Sequence, residues 1–235
     1  MPFLGFGFDP TFFLLIPAMV FAFWAQHKVK STYEKFAQVP AANGMTGRDM
    51  ARSIMQRNGV TDVQIEPVAG ALSDHYDPGA KTVRLSADIY GGQSIAAIAV
   101  AAHEVGHVLQ DHEGYLPLRM RSSFAPVAGF GSNLAMPLFF IGLIFGTRLG
   151  IGSLLMDLGI LFFAAAVVFH VVTLPVEFDA SRRALAQLTS SGAVMPQEVA
   201  GAKKVLDAAA LTYVAAAAMA ALQLIRLLML RNSRR

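Results

Sequence analysis

Four stretches of the chain are apolar for long enough to cross a bilayer, and the residues between them follow shorter, polar patterns. A spanning helix needs about 20 mostly apolar residues. The first stretch without Asp, Glu, Lys or Arg runs over 10–27, and its apolar body is 12–25. Trp24 stands near its end, where an interfacial aromatic belongs, and Lys28, Lys30 and Lys35 follow. A cleaved signal peptide has its positive charge before the apolar core and a small-residue site after it. The order here is the reverse, so the segment reads as a retained anchor. The second stretch lies between Arg121 and Arg148 with its core at 134–145, and the third between Asp157 and Glu177 with its body at 158–174. The turn at 147–153 contains Gly150 and Gly152, which makes these two spans an antiparallel hairpin. The fourth stretch, 208–225, is followed by Arg226 and then by 227–230. It crosses, re-enters or lies in the interface.

The water-facing residues carry a different pattern. Thr46 with Asp49 three residues on resembles a capping box, and Asn58-Gly59 is the matching stop. Met50, Ala51, Ile54 and Met55 share one helical face between them. Val63-Gln64-Ile65-Glu66 alternates like a half-buried strand. Asp77-Pro78-Gly79 is a turn that joins 71–76 to 81–85 as a β-hairpin. The Ala-rich run 93–110 lacks proline and reads as a helix. These elements predict a mainly α membrane protein with three to four transmembrane helices and a small α+β portion. The expected organisation is an anchor at 1–26, a water-facing portion at 27–121, a transmembrane hairpin at 122–175, a helical segment at 176–207, and a C-terminal apolar helix with a basic tail at 208–235.

Composition agrees. The 235 residues are 54% apolar and 15% charged, with a mean hydropathy of +0.49. Soluble domains run nearer 45–50% and about 25%. The absence of cysteine excludes a disulfide scaffold, a thiol nucleophile and any Cys-ligated metal. The net charge of +3 flanks apolar runs instead of forming the clustered patch of a nucleic-acid binder, so no nucleic-acid partner is expected. Residues 27–121 hold ten of the 19 Lys and Arg, whereas the hairpin turn holds only Arg148. That asymmetry places 27–121 and 176–207 in the cytoplasm and the N-terminus outside. The tail at 231–235 is basic, so a crossing by the fourth segment would put positive charge outside.

The candidate chemistry is His103-Glu104-Val105-Gly106-His107, an H-E-x-x-H string inside the predicted helix. Positions i and i+4 share a helix face, so two imidazoles can address one metal ion while Glu104 reaches a water on it. Zinc suits imidazole nitrogen, has no redox chemistry to control and lowers the pKa of bound water. Glu104 then acts as general base towards a carbonyl and as proton donor to the leaving amine. Composition alone gives an expectation of about 0.004 such strings in this chain. The plain alternative, two incidental histidines on a buried helix, would bury Glu104 at a cost.

A catalytic zinc needs a third protein ligand. The metzincin pattern requires Gly at 110 and His at 113, where this chain has Gln110 and Glu113. Asp111 continues the stripe from His107 but lies two turns from His103, and His112 faces elsewhere. Glu177 is favoured by topology, because the hairpin leaves and re-enters the cytoplasm and delivers this residue to the side of His103 and His107. Pro175 is expected to end the span just before it. The competing role for Glu177 is a helix-start acid favoured by the dipole.

The chain resembles the YugP-like neutral zinc metallopeptidases, a bacterial membrane family. The likeness covers nearly the whole sequence. It includes Asp9-Pro10, Ala25-Gln26, Thr46-Gly47, Asp74-His75-Tyr76-Asp77-Pro78, the run from Ser94 to His107, the run from Thr173 to Ser181, and Ala209 with Leu211-Thr212-Tyr213-Val214. The combination of H-E-x-x-H with Leu174-Pro175-Val176-Glu177-Phe178-Asp179-Ala180-Ser181 is the specific part. More distantly the chain is similar to HtpX and the CAAX prenyl proteases. In those gluzincins a Glu of an E-x-x-x-D pattern is the third zinc ligand, which implies Glu177 here. The Asp of that pattern is Ser181 in this chain, so Ser181 or Asp179 is expected to orient a ligand histidine. The resemblance implies a zincin-like cytoplasmic portion, one Zn2+ per chain and a location in the bacterial inner membrane. The implied substrate is a peptide or membrane protein.

His75 and Tyr76 lie on the hairpin before the metal helix, where related folds pair an edge strand with substrate backbone. His75, Tyr213, Arg182 and Arg183 are eligible to stabilise an oxyanion, against ordinary structural or snorkelling roles. His170 falls inside the third span, where an ionisable group is a functional candidate. Three readings compete: a zinc endopeptidase at the cytoplasmic face, a site-2-type intramembrane protease, and a zinc-stabilised membrane scaffold without activity. The second would place the metal helix inside a span, yet 89–103 is short, and Met156-Asp157-Leu158-Gly159 does not match the required L-D-G. The third would need a fourth ligand, from His75, His112 or a carboxylate.

Overall fold

The computed structural model describes residues 9–145, 150–192 and 194–233. The chain is mainly helical. A 3-10 turn at Pro10–Leu15 leads into α1 (Ile16–Ala37), followed by α2 (Gly47–Arg57). Three short strands come next, β1 (Gln64–Val68), β2 (His75–Asp77) and β3 (Thr82–Ser86). Then follow α3 (Ala87–Tyr90), α4 (Ile95–His112), α5 (Leu116–Phe145), α6 (Ile151–Ser190) and α7 (Pro196–Asn232). Four helical stretches are long and apolar enough to cross a membrane: Pro10–Ala37, Leu116–Phe145, Ile151–Ser190 and Pro196–Asn232. The hairpin turn expected at 147–153 lies partly outside the described residues, and α6 already begins at Ile151.

The chain divides into two units, Met1–Trp24 with Ser123–Val171 and Ala215–Arg235, and Ala25–Ser122 with Val172–Val214. In the first unit, α5 and α6 approach through glycine. A Cβ at Gly142 would meet the Gly152 carbonyl oxygen at 2.5 Å, and one at Gly159 would meet that of Ala135 at 2.7 Å. Small residues at such contacts let apolar helices pack backbone to backbone. Phe139, Met156 and Leu227 fill the interior, while Phe23, Phe130, Ile144 and Leu161 face outward, as lipid-facing side chains do. The charges among the described residues here are paired. Arg226 binds Asp9 at 2.7 Å, and Arg231 binds both carboxylate oxygens of Asp157 at 2.8 Å.

The second unit holds the sheet, in the order β1-β3-β2, with β1 parallel and β2 antiparallel to β3. The Thr46–Asp49 capping box starts α2, and Met50, Ala51, Ile54 and Met55 are buried on its inner face. Gly59, at φ +71°, takes the left-handed turn after it. The hairpin is shorter than its pattern predicts. Residues 71–74 stay out of the sheet, and Asp74 turns its carboxylate onto the Ser86 N–H at 2.7 Å and the Ser86 hydroxyl. The core joins α2, α4 and β3 to Ala184 and Leu188 of α6 and to Ala202, Val205 and Leu206 of α7.

Pro175 does not end a helix. α6 runs through it to Ser190. A proline removes one donor and crowds the preceding turn, but Val176, Ala180, Ala184 and Leu188 form a fully buried i, i+4 stripe just beyond it. Burying four side chains outweighs the loss of one hydrogen bond.

Candidate metal centre

Ser94 caps α4 by accepting the Ala97 N–H at 3.2 Å, and nearly every residue of the helix from Ile95 to Gln110 is buried. An 18-residue helix enclosed on most sides fixes its side chains closely. His103 and His107 project from the same face, with ring centroids 4.9 Å apart and planes at 83°. Gly106 faces α6. A Cβ there would stand 2.4 Å from the carbonyl oxygen of Ala180, so α4 and α6 touch backbone to backbone. That contact sets Glu177 and Ser181, one turn apart on α6, against the two imidazoles.

The Oε2 of Glu177 lies 3.2 Å from His103 Nε2 and 3.6 Å from His107 Nε2. One ligand atom from each of His103, His107 and Glu177 falls within 4.8 Å of the others, so the trio could hold a metal ion. His107 and Glu177 are buried, whereas His103 keeps partial access.

The outer nitrogens are also engaged. His107 Nδ1 lies 3.0 Å from Gln110 Oε1. Gln110 is fully buried, and its Nε2 donates to the Val176 carbonyl at 2.8 Å and to Asp179 at 2.9 Å. Two acceptors on the amide nitrogen fix the amide's orientation, so its oxygen must accept from His107. His107 therefore carries a proton on Nδ1, which leaves Nε2 as the nitrogen that can face a metal ion. Ser181 Oγ lies 3.1 Å from His103 Nδ1 and engages the matching nitrogen of that ring. Two imidazoles with Nε2 directed inward and one carboxylate form a nitrogen-and-oxygen donor set that suits zinc.

Glu177 Oε1, the oxygen turned from the imidazoles, takes a hydrogen bond from Arg121 at 2.8 Å, and the Tyr213 hydroxyl of α7 is directed to the same carboxylate. Glu104 is buried one residue after His103, with the Tyr76 backbone N–H directed at it. Burial pushes its carboxyl up to about 7, helped by the negative Glu177 and Asp74 and opposed by His103.

The remaining candidates separate clearly. Asp179 supports Gln110 and is held by Arg182 and Arg183, and Arg183 also binds Glu113 at 2.7 Å. Asp111 is not a ligand candidate: it takes the Tyr76 hydroxyl and the Lys81 ammonium, each at 2.7 Å. The Tyr76 ring thus points to Asp111, and only its backbone addresses Glu104. His75 is exposed, with Nδ1 donating to the Ser73 carbonyl at 2.8 Å. His112 is exposed at the end of α4. His170 lines a separate cavity with Phe163, Met219 and Gln223. Sequence reading missed Gln110 and Arg121. Gln110 had a signal, since it lies three residues from His107 on the same helix face. Arg121 had none beyond its charge at the edge of an apolar run.

Comparison with known proteins agrees with this chemistry. The family model described as "Putative neutral zinc metallopeptidase" matches residues 11–232. The chain is 50% identical over 218 residues to the "Putative membrane protease YugP" of Bacillus subtilis (strain 168), covering 93% of this chain and 95% of that protein. No solved structure matches it.

Proposed function

The chain belongs to the neutral zinc metallopeptidase family, and from that premise we propose that it is a membrane-embedded, gluzincin-type endopeptidase that cleaves peptide bonds of membrane or membrane-near proteins. The observation that carries this reading is the meeting of His103, His107 and Glu177 beside the buried carboxylate of Glu104. Zinc held by that trio would polarise the scissile carbonyl and make water a better nucleophile at neutral pH. The chain supplies the rest. Gln110 and Ser181 hold both imidazoles at Nδ1, with Nε2 aimed inward. Arg121 neutralises and orients Glu177. Glu104 takes the proton from the attacking water and hands it to the departing amine nitrogen. Burial excludes bulk water from that exchange.

The site-2 reading loses ground because α4 is not among the four helices long and apolar enough to span, among the described residues. The scaffold reading would need a fourth side-chain ligand. Among the described residues only His103, His107 and Glu177 group in this way, and three protein ligands leave a position for water. The lysine and arginine distribution supports a site at the cytoplasmic face with the N-terminus outside. The Arg226–Asp9 and Arg231–Asp157 pairs support a fourth helix that crosses, because they offset the outward positive charge.

Metal analysis of the detergent-purified protein tests the centre without a known substrate. About one zinc per chain, lost in His103→Ala and Glu177→Ala, is expected. A folded protein that holds no zinc would overturn the reading.

A further inference from the structure

α1 and α7 face each other across a cleft that the peptidase site does not use. Lys28, Thr32, Lys35 and Phe36 line one wall and Lys204, Asp207, Ala208 and Leu211 the other, enclosing about 490 Å³. The spacing is helical on both sides, so each wall is one continuous face. The helices close together beside it, where a Cβ at Gly201 would stand 3.0 Å from the Phe36 ring.

The charges of the cleft are unbalanced. Lys203, outside the lining, binds Asp207, and Lys30 pairs with Glu34 at 3.9 Å. Lys28, Lys35 and Lys204 have no carboxylate partner among the described residues and are exposed. The one acid of the cleft is thus occupied by a lysine outside it, which leaves three ammonium groups above a floor of Phe36, Ala208 and Leu211. Lys28 follows directly on the first apolar segment, so the cleft belongs at membrane-surface level. Mixed cationic and apolar lining at that depth matches an amphiphile with an anionic head. Basic clefts between membrane helices bind lipid head groups in this way.

We propose that this cleft is a binding site for an anionic phospholipid, with the phosphate on Lys28, Lys35 and Lys204 and the first chain carbons on Ala208 and Leu211. The shared chemistry with free phosphate is the three-lysine pocket. The apolar floor selects the lipid, because inorganic phosphate leaves that floor unfilled.

The test uses the full-length protein in neutral detergent, titrated with phosphatidylglycerol, phosphatidylcholine or inorganic phosphate and followed by native mass spectrometry. Saturable binding of one phosphatidylglycerol, with neither of the others competing, is expected. Lys204→Gln should weaken it about fivefold, and the triple variant Lys28→Gln/Lys35→Gln/Lys204→Gln about a hundredfold. The control Lys30→Gln removes a surface lysine of α1 outside the lining, whose partner Glu34 is also outside it, and should leave the affinity within about twofold. Equal loss in the control would overturn the site in favour of diffuse attraction. Displacement of the lipid by inorganic phosphate would overturn the lipid assignment.

Discussion

His107 Nδ1 and Gln110 Oε1 are 3.0 Å apart, and that one contact settles which imidazole nitrogen is free to bind metal. Gln110 is itself held by the Val176 carbonyl and Asp179, so α6 orients a ligand on α4 through a buried amide. Gln110→Leu should therefore weaken zinc binding about 10–100-fold without abolishing it. Competition with a chromophoric chelator measures this. Unchanged affinity would assign Gln110 to packing alone.

Glu104→Gln preserves size and hydrogen bonding but removes the base. The variant should retain stoichiometric zinc and lose at least 100-fold in cleavage rate. It should also trap substrate proteins on affinity purification. Cleavage within a few-fold of the parent would transfer the proton step to another group.

Gly106 lies 2.4 Å, by its missing Cβ, from the backbone of Ala180. Gly106→Ala must push α6 away and should cost about 1–3 kcal/mol of stability. Since α6 carries Glu177 and Ser181, zinc affinity should fall with it. Thermal unfolding and metal titration of the same sample separate the two effects.

Asp111 gives a pH signature outside the metal centre. Burial opposes its ionisation, but hydrogen bonds from Lys81 and Tyr76 and the Lys81 charge outweigh it, holding the carboxyl below its ordinary range. A lowered folded pKa contributes stability above the unfolded value of about 3.9, and that stability is lost as pH falls through the folded one. Asp111→Asn should lose about 1 kcal/mol at pH 7, and its deficit should shrink below about pH 4. A deficit independent of pH would mean that only shape matters at this position.

Topology is open to a direct check. A reporter fused after Ser153 should be active on the outer side of the membrane, and one fused after Asn232 likewise if α7 crosses. A cytoplasmic signal at the first position would reverse the orientation derived from the lysines and arginines.

The sequence by itself determined the parts governed by local periodicity and transfer free energy. The uncharged runs specified four membrane-length helices because backbone in lipid must satisfy its own hydrogen bonds. Thr46 and Asp49 specified the start of α2, and the i, i+4 spacing put His103 and His107 on one face. Tertiary structure alone decided what depends on contact between distant segments. It carried α6 through Pro175, where the buried stripe Val176, Ala180, Ala184 and Leu188 overrides a local helix breaker. It turned Tyr76 and Lys81 onto Asp111, and so removed that residue from the ligand candidates. It also brought Glu177, Arg121 and Gln110 together. Side-chain chemistry states what each group can do, but only packing, such as the bare backbone contact at Gly106, states which groups meet.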